Sequence, residues 1–340
     1  MSGRTLRWLM SLLRPQTGGG GSGADAPRLT ILRHHRVYPA GTRPLYRLGV
    51  SEPVLAAQID LLRSLGVGPV SVLEGLHRLD QGRPGHHVAL SFDDGYADNV
   101  RLALPRLAAA GAGATFYLTA GLIESRRAPW WDVLAHALET TRRPRLRIAF
   151  GATALDLPLE GRTARVRALT RLLPVFRTPP EEQTERLARL RDALAVVEEA
   201  PCELATWSEA AALAGAGMEI GAHTLSHPFL SLVGADEQRR EIGGSVERIA
   251  DRLRVRPRGL AYPGGDHDAG AIAAASDAGL DYAVLTRAGD NGPGAPRYEL
   301  RRRGLYEGAC LAPGGRFSRR LAIAELEGAF DRLRGVQVAS

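Results

Sequence analysis

The sequence predicts an α/β protein built on a parallel sheet, with enough units for a (β/α) barrel. Three observations carry that expectation. Short apolar strands alternate with helices of ordinary length from residue 28 to residue 286, the pattern of a sheet whose crossovers are helices. The conspicuous polar residues stand immediately after those strands, where parallel folds gather their reactive groups. The chain has 340 residues, 44% of them hydrophobic, enough for one large core.

In order, "RLTILRHHRV" reads as a strand that ends in His34 and His35. "SEPVLAAQIDLLRSLG" reads as a helix with Ser51 as N-cap, Leu55, Ile59 and Leu62 on one face and Gly66 at its end. A strand at 88–92, a helix at 99–110 closed by Gly111, and the strand "ATFYLT" at 114–119 follow. "TWSEAAALAGAG" is a helix capped by Thr206 or Ser208, and "MEIGAH" a strand. Helix 236–253, strand "GLAYP", helix 268–278 and strand "YAVLT" at 282–286 complete the rhythm. Residues 139–203 break it with Arg-, Glu- and Leu-rich sequence and proline breaks, read as a helical insertion capping the barrel. Residues 1–27 form an N-terminal segment and a Gly-rich linker, expected to be flexible, and residues 28–340 the catalytic domain.

Composition narrows the class. All 44 basic residues are arginine and the formal charge is +7, yet the dense clusters "TRRPRLR" and "RRR" lack interleaved aromatics, so nucleic acid is not an expected partner. Two cysteines, Cys202 and Cys310, are too few for a disulfide framework or a Cys-rich zinc site. No segment approaches a membrane span. Residues 4–13 carry arginines and a short apolar patch without a convincing cleavage site after it. The expectation is a cytoplasmic enzyme resting on a membrane surface through that patch, with export left open.

"VALSFDDGYADN" runs from strand into two adjacent carboxylates, Asp93 and Asp94. Two buried aspartates side by side repel and lose hydration unless each is paired or bound to a cation. "GAHTLSHP" offers His223 and His227 four residues apart, a spacing that brings two imidazoles to one ion on a tight turn. Two histidines and a carboxylate make a mixed N/O set with open positions, the pattern of a catalytic metal site. One aspartate can ligate while the other accepts a proton. The competing account has the pair capping the following helix.

"LSFDDGYADN" and "HTLSH" resemble the first two motifs of NodB-type polysaccharide deacetylases, carbohydrate esterase family 4. The likeness runs from about residue 29 to 306 through "ATFYLTAGLI", "PWWDVL", "LAYPGG" and "DYAVLTRAGDN". It implies a distorted (β/α)₇ barrel and metal-dependent removal of acetyl groups from an N-acetylated sugar or polysaccharide, such as one containing N-acetylglucosamine. It also implies that Asp94, His223 and His227 bind the metal, that Asp93 is the base acting on metal-activated water, and that Thr224 steadies the ligand loop. Zn²⁺ suits the donor set, with Co²⁺, Ni²⁺, Mn²⁺ or Fe²⁺ as alternatives.

The third motif departs from the family. Ala261 stands where many members have an arginine, and Gly264 replaces an aromatic, leaving the Gly264 N–H as an oxyanion donor. Arg302 in "YELRRRGL" is the substitute guanidinium for Asp93, against a solvated three-arginine run. No histidine follows His267, so the tail histidine of many members is missing. "LRHHRV" resembles the opening of the exopolysaccharide deacetylase branch instead, which makes His35 the acid and His267 the reserve. His77, His86, His87 and His136 carry no motif and are read as surface or loop residues. Trp130 and Trp131 wall a sugar subsite or pack the insertion. The alternatives to sugar deacetylation are a metal amidohydrolase on a non-sugar N-acyl substrate and an inactive glycan-binding homologue.

Overall fold

The computed structural model describes residues 26–331 together with Arg7, Met10 and Ser11. The rest of the N-terminal segment and most of the Gly-rich linker lie outside the described residues. Of the stretch 4–13 expected to touch a membrane, only Arg7, Met10 and Ser11 are described, and Arg7 pairs with Glu325 at 3.3 Å.

Seven strands form one parallel sheet: β1 (Arg28–His34), β2 (His86–Phe92), β3 (Thr115–Leu118), β4 (Glu219–Ala222), β5 (Gly259–Ala261), β6 (Tyr282–Val284) and β7 (Arg302–Gly304). Their order is β6-β5-β4-β3-β2-β1-β7. A parallel bridge between Val284 and Leu300, with Leu285 N–H donating to the Leu300 carbonyl at 2.8 Å, brings the two edges together and nearly closes the barrel. Along β1, β2, β3, β5 and β6 the residues of the two faces belong to different apolar clusters, as the two-residue period of a strand requires. Ile31, Ala89, Tyr117, Ala261, Tyr282 and Val284 share one cluster. Leu32, Leu90, Phe92, Phe116, Ile220 and Leu260 pack in the other with the helices.

The predicted helices are present with adjusted ends, and three details differ from the sequence reading. The Ser51 hydroxyl donates to Glu307 at 2.9 Å rather than capping helix Glu52–Ser64. The helix expected at 99–110 opens with a π-helical turn, Asn99–Ala103, before α-helix Leu104–Ala110. Pro105 has no N–H to give the preceding turn, and the Leu104 N–H reaches back five residues to Asn99. His86, expected at the surface, opens β2 half-buried. It hydrogen-bonds Thr30 at 2.8 Å, and burial pulls its pKa down to about 4.

The insertion is less helical than its composition predicts. An antiparallel hairpin, Arg145–Phe150 with Thr153–Pro158, precedes helices Gly161–Leu172 and Pro180–Leu194. Leu146, Leu155, Leu157 and Phe150 face a small core of their own with Leu134, Leu169, Phe176 and Leu190. The arginines at 145 and 147 are the outward half of a strand alternation. Among the described residues no helix is long and apolar enough to cross a membrane.

Candidate active site

β2 delivers Asp93 and Asp94 to the carboxyl end of the barrel, each only 2% exposed. Phe92 stacks on Phe116 of β3, with ring centroids 4.8 Å apart, and fixes the strand end. Asp94 then takes φ +76° and Gly95 φ +82°, a reversal that turns the two carboxylates to different partners. A non-glycine residue in this region is rare and marks a constrained position.

Asp93 meets Arg302 in a two-bond fork: Nη1 donates to Oδ1 at 2.6 Å and Nη2 to Oδ2 at 2.7 Å. Arg302 is fully buried on β7, donates Nε–H to the Leu285 carbonyl at 2.8 Å, and reaches Ser91 Oγ at 3.1 Å. Burial pushes the Asp93 carboxyl up, but the charge and hydrogen bonds of Arg302 outweigh it and hold the group well below the carboxylate range. The three consecutive arginines divide by strand alternation. Arg302 points inward, while Arg303 pairs with Asp290 at 3.0 Å and with Asp331.

Asp94 faces the histidines instead. Its Oδ1 lies 3.3 Å from His223 Nε2 and 3.8 Å from His227 Nε2, and the three candidate ligand atoms lie within 4.8 Å of one another. His223 Nδ1 lies 2.6 Å from the Ala261 carbonyl, which turns Nε2 toward Asp94. The loop between the histidines is tightly held. Thr224 and His227 have φ +64° and +63°, and Thr224 Oγ1 accepts the His227 N–H at 3.0 Å. Buried Glu241, from helix Ala235–Leu253, accepts the N–H groups of Leu225 and Ser226, both at 2.8 Å. Burial, with His223 alongside, pulls His227 down to about 3, so its imidazole is neutral and suited to ligation.

His35, at the end of β1, places Nε2 3.8 Å from Asp93 Oδ2. Its backbone carbonyl accepts from Asn99 Nδ2 at 2.7 Å, so the π-helical turn positions the candidate acid. Burial lowers the His35 pKa against the raising influence of Asp94 and Asp93. His35, Asp93, Asp94, His223 and His227 open on one cleft of about 290 Å³, walled by Tyr46, Trp130, Trp131, Phe229 and Gly264, with Arg177 from the insertion at its rim.

Residues 80–283, more than half of the chain, match the family model for polysaccharide deacetylase. The chain belongs to the polysaccharide deacetylase family. No curated protein matches it by sequence. Among solved structures it is similar to Streptococcus pyogenes deacetylase PplD in complex with acetate, at 18% identity and a TM-score of 0.56, covering 83% of this chain and 93% of that one. It is also similar to IcaB from Ammonifex degensii, at 20% identity and a TM-score of 0.54, covering 82% and 91%. A de-N-acetylase from Aggregatibacter actinomycetemcomitans aligns at 18% identity and a TM-score of 0.53, covering 83% and 95%. These likenesses establish the deacetylase barrel.

Polysaccharide deacetylases of this type are metal-dependent hydrolases, and this deacetylase carries the donors for a cation. Asp94 Oδ2 is buried without a hydrogen-bond partner among the described residues, and the N₂O set is unsaturated. His227 is confined by the edge of Trp131, whose ring centroid lies 4.3 Å away. The structure brings together Asp93, Asp94, His35, His223, His227, Gly264 and Arg302. It leaves out His267, which stacks on Tyr262 at 5.0 Å and approaches Glu299 at 3.4 Å, and does not line the cleft. Trp130 and Trp131 line the cleft, and Trp130 stacks on Phe176 of the insertion. Sequence reasoning missed Glu241, Asn99, the Ala261 carbonyl and Arg177. Only Asn99 carried a signal, standing just after "DDGYAD".

Proposed function

We propose that this deacetylase hydrolyses the acetamide of an N-acetylglucosamine-type residue in a saccharide, with Zn²⁺ held by Asp94, His223 and His227. The observation that carries this is the single cleft in which an unsaturated N₂O set faces an arginine-held carboxylate and a histidine. When bound, the cation polarises water and the acetyl carbonyl, a Lewis-acid role to which a mixed imidazole–carboxylate set is suited.

Asp93 takes the proton of the attacking water as its oxygen bonds to the acetyl carbon. The Gly264 N–H, presented by a turn in which the Gly265 N–H donates to Tyr262 at 2.8 Å, is the backbone donor for the developing oxyanion. Protonated Asp93 beside Arg302 is a strong acid, and neutral His35 is the next acceptor. His35 then gives that proton to the sugar nitrogen as the C–N bond breaks, and acetate and a free amine leave.

The test is acetate release from N-acetylglucosamine oligosaccharides by the zinc-reconstituted chain, with Asp93→Asn and His35→Ala alongside. Turnover should fall in both variants while zinc stays bound. A protein that binds zinc but releases acetate from no N-acetylated saccharide overturns the reading.

A further inference from the structure

Beside the catalytic cleft lies a second cavity, of about 550 Å³, lined by Arg7, Arg33, Thr286, Ala288, Arg302, Gly304, Tyr306, Gly308 and Ala309. Three of these are arginines, and among the described residues none is acidic. Two of the guanidinium groups are already matched: Arg302 by Asp93, and Arg7 by Glu325 at 3.3 Å. Arg33 is not. No carboxylate among the described residues pairs with it. Among the described residues its Nε is buried without a hydrogen-bond partner, and its one side-chain hydrogen bond goes to the Tyr306 hydroxyl.

The local backbone builds this arrangement. Arg33 is directly opposite Gly304 in the β1–β7 register. A Cβ at Gly304 would lie 2.4 Å from Tyr306 Cε2, so only glycine lets that ring lie over the strand. The Arg33 guanidinium carbon then sits 6.0 Å from the ring centroid, and Tyr306 stays 43% exposed. A half-buried guanidinium with no counter-charge is costly unless a ligand supplies one. Its planar fork matches the oxygens of a carboxylate or phosphate.

The two cavities are neighbours. Thr286 lines both, and Arg302 lines the basic cavity while gripping Asp93 of the cleft. An anion held at Arg33 would stand beside the cation site, within reach of the molecule whose acetyl group enters the cleft. We propose that the substrate is an acidic saccharide, bearing a phosphate or carboxylate next to the N-acetylated residue, and that Arg33 with Tyr306 binds that group. This rests on the deacetylase reading above and names its substrate class.

The experiment compares kcat/KM of the zinc-loaded full chain on three probes: tri-N-acetylchitotriose, N-acetylglucosamine 1-phosphate, and an oligosaccharide with glucuronate beside N-acetylglucosamine. At least one acidic probe should be preferred over the neutral one by about ten-fold. The phosphate and uronate arms identify which oxyacid is read. In Arg33→Gln the ratio should fall toward one, and in Arg33→Lys, which keeps charge and loses the fork, it should be intermediate. Ala288→Glu, which leaves Arg33 in place and neutralises the cavity, should also abolish the preference and covers a misfolded Arg33→Gln. Equal turnover of neutral and acidic probes, or a preference that survives both Arg33→Gln and Ala288→Glu, overturns the anion site while deacetylation stands. If no probe is turned over, deacetylation itself fails. Calorimetric titration with glucose 1-phosphate against glucose then decides the anion site: binding lost in Arg33→Gln supports it, and unchanged binding or none in the intact chain overturns it.

Discussion

Asp93 and Asp94 are adjacent, equally buried, and chemically opposite. Asp93 has both oxygens filled by a guanidinium that is itself anchored to Leu285 and Ser91. Asp94 has one oxygen toward two imidazoles and the other without a partner among the described residues. The protein has completed one half of its site with its own charges and left the other half for a cation. A carboxylate fixed by arginine stays ionised and aimed; a carboxylate left short of donors binds metal only because His223 and His227 are held to meet it.

The largest effect expected from breaking this division is in Asp94→Asn, where zinc content and turnover should be lost together, turnover by about 10³-fold or more. Asp93→Asn should cost about 10²–10⁴ in kcat with zinc retained, read by elemental analysis beside the assay. If both variants lose zinc, the two halves are not distinct.

Arg302→Met should cost about 3–5 kcal/mol in denaturant unfolding, because it strands a buried carboxylate. It should also move the acid limb of kcat/KM to higher pH as the Asp93 pKa rises. Adding Asp93→Asn should restore much of the stability, a coupling that a double-mutant cycle measures.

On the cation side, Glu241→Gln should leave the fold intact and weaken zinc binding by about 10–100-fold, since Glu241 only steadies the loop that aims the histidines. Competitive chelator titration reads this directly. Unchanged affinity would show that the strained turn at Thr224 and His227 is self-sufficient.

The smallest effect lies just outside both halves. Asp132 accepts from Tyr96 OH at 2.9 Å, and burial raises its pKa to about 7. A carboxyl raised on folding contributes stability at low pH that is lost as pH climbs from the unfolded value near 4 through about 7. Asp132→Asn should therefore stabilise the protein by about 1–2 kcal/mol at pH 8 and leave it little changed at pH 4, as thermal melts at the two pH values will show.

The elements most legible in the sequence were those with a local signal. β2 and its aspartates were readable because an apolar run ending in two carboxylates and glycine has few physical explanations. Of the two caps read for the helix after residue 205, Thr206 is the N-cap in the fold, accepting from the Glu209 N–H. The hairpin at 145–158 was hidden because arginines on its outward face masked a two-residue alternation. Ser51 looked like a helix cap until Glu307, far along the chain, claimed its hydroxyl. Glu241 gave no sign, because a glutamate in an amphipathic helix looks solvated until the loop it holds is in place.

The sequence by itself determined the strand–helix order, the family, and the residue types of the site, because each is set by local pattern or by motifs a few residues long. Only the tertiary structure decided the pairings: that Arg302 crosses from the last strand to Asp93, that His35 faces that same carboxylate, and that Arg33 stands over its cavity without a counter-ion among the described residues. Those facts depend on the register of β1 against β2 and β7. Register is a property of the closed sheet, fixed by contacts between residues far apart in the chain, 58 positions for β1 on β2 and 271 for β1 on β7.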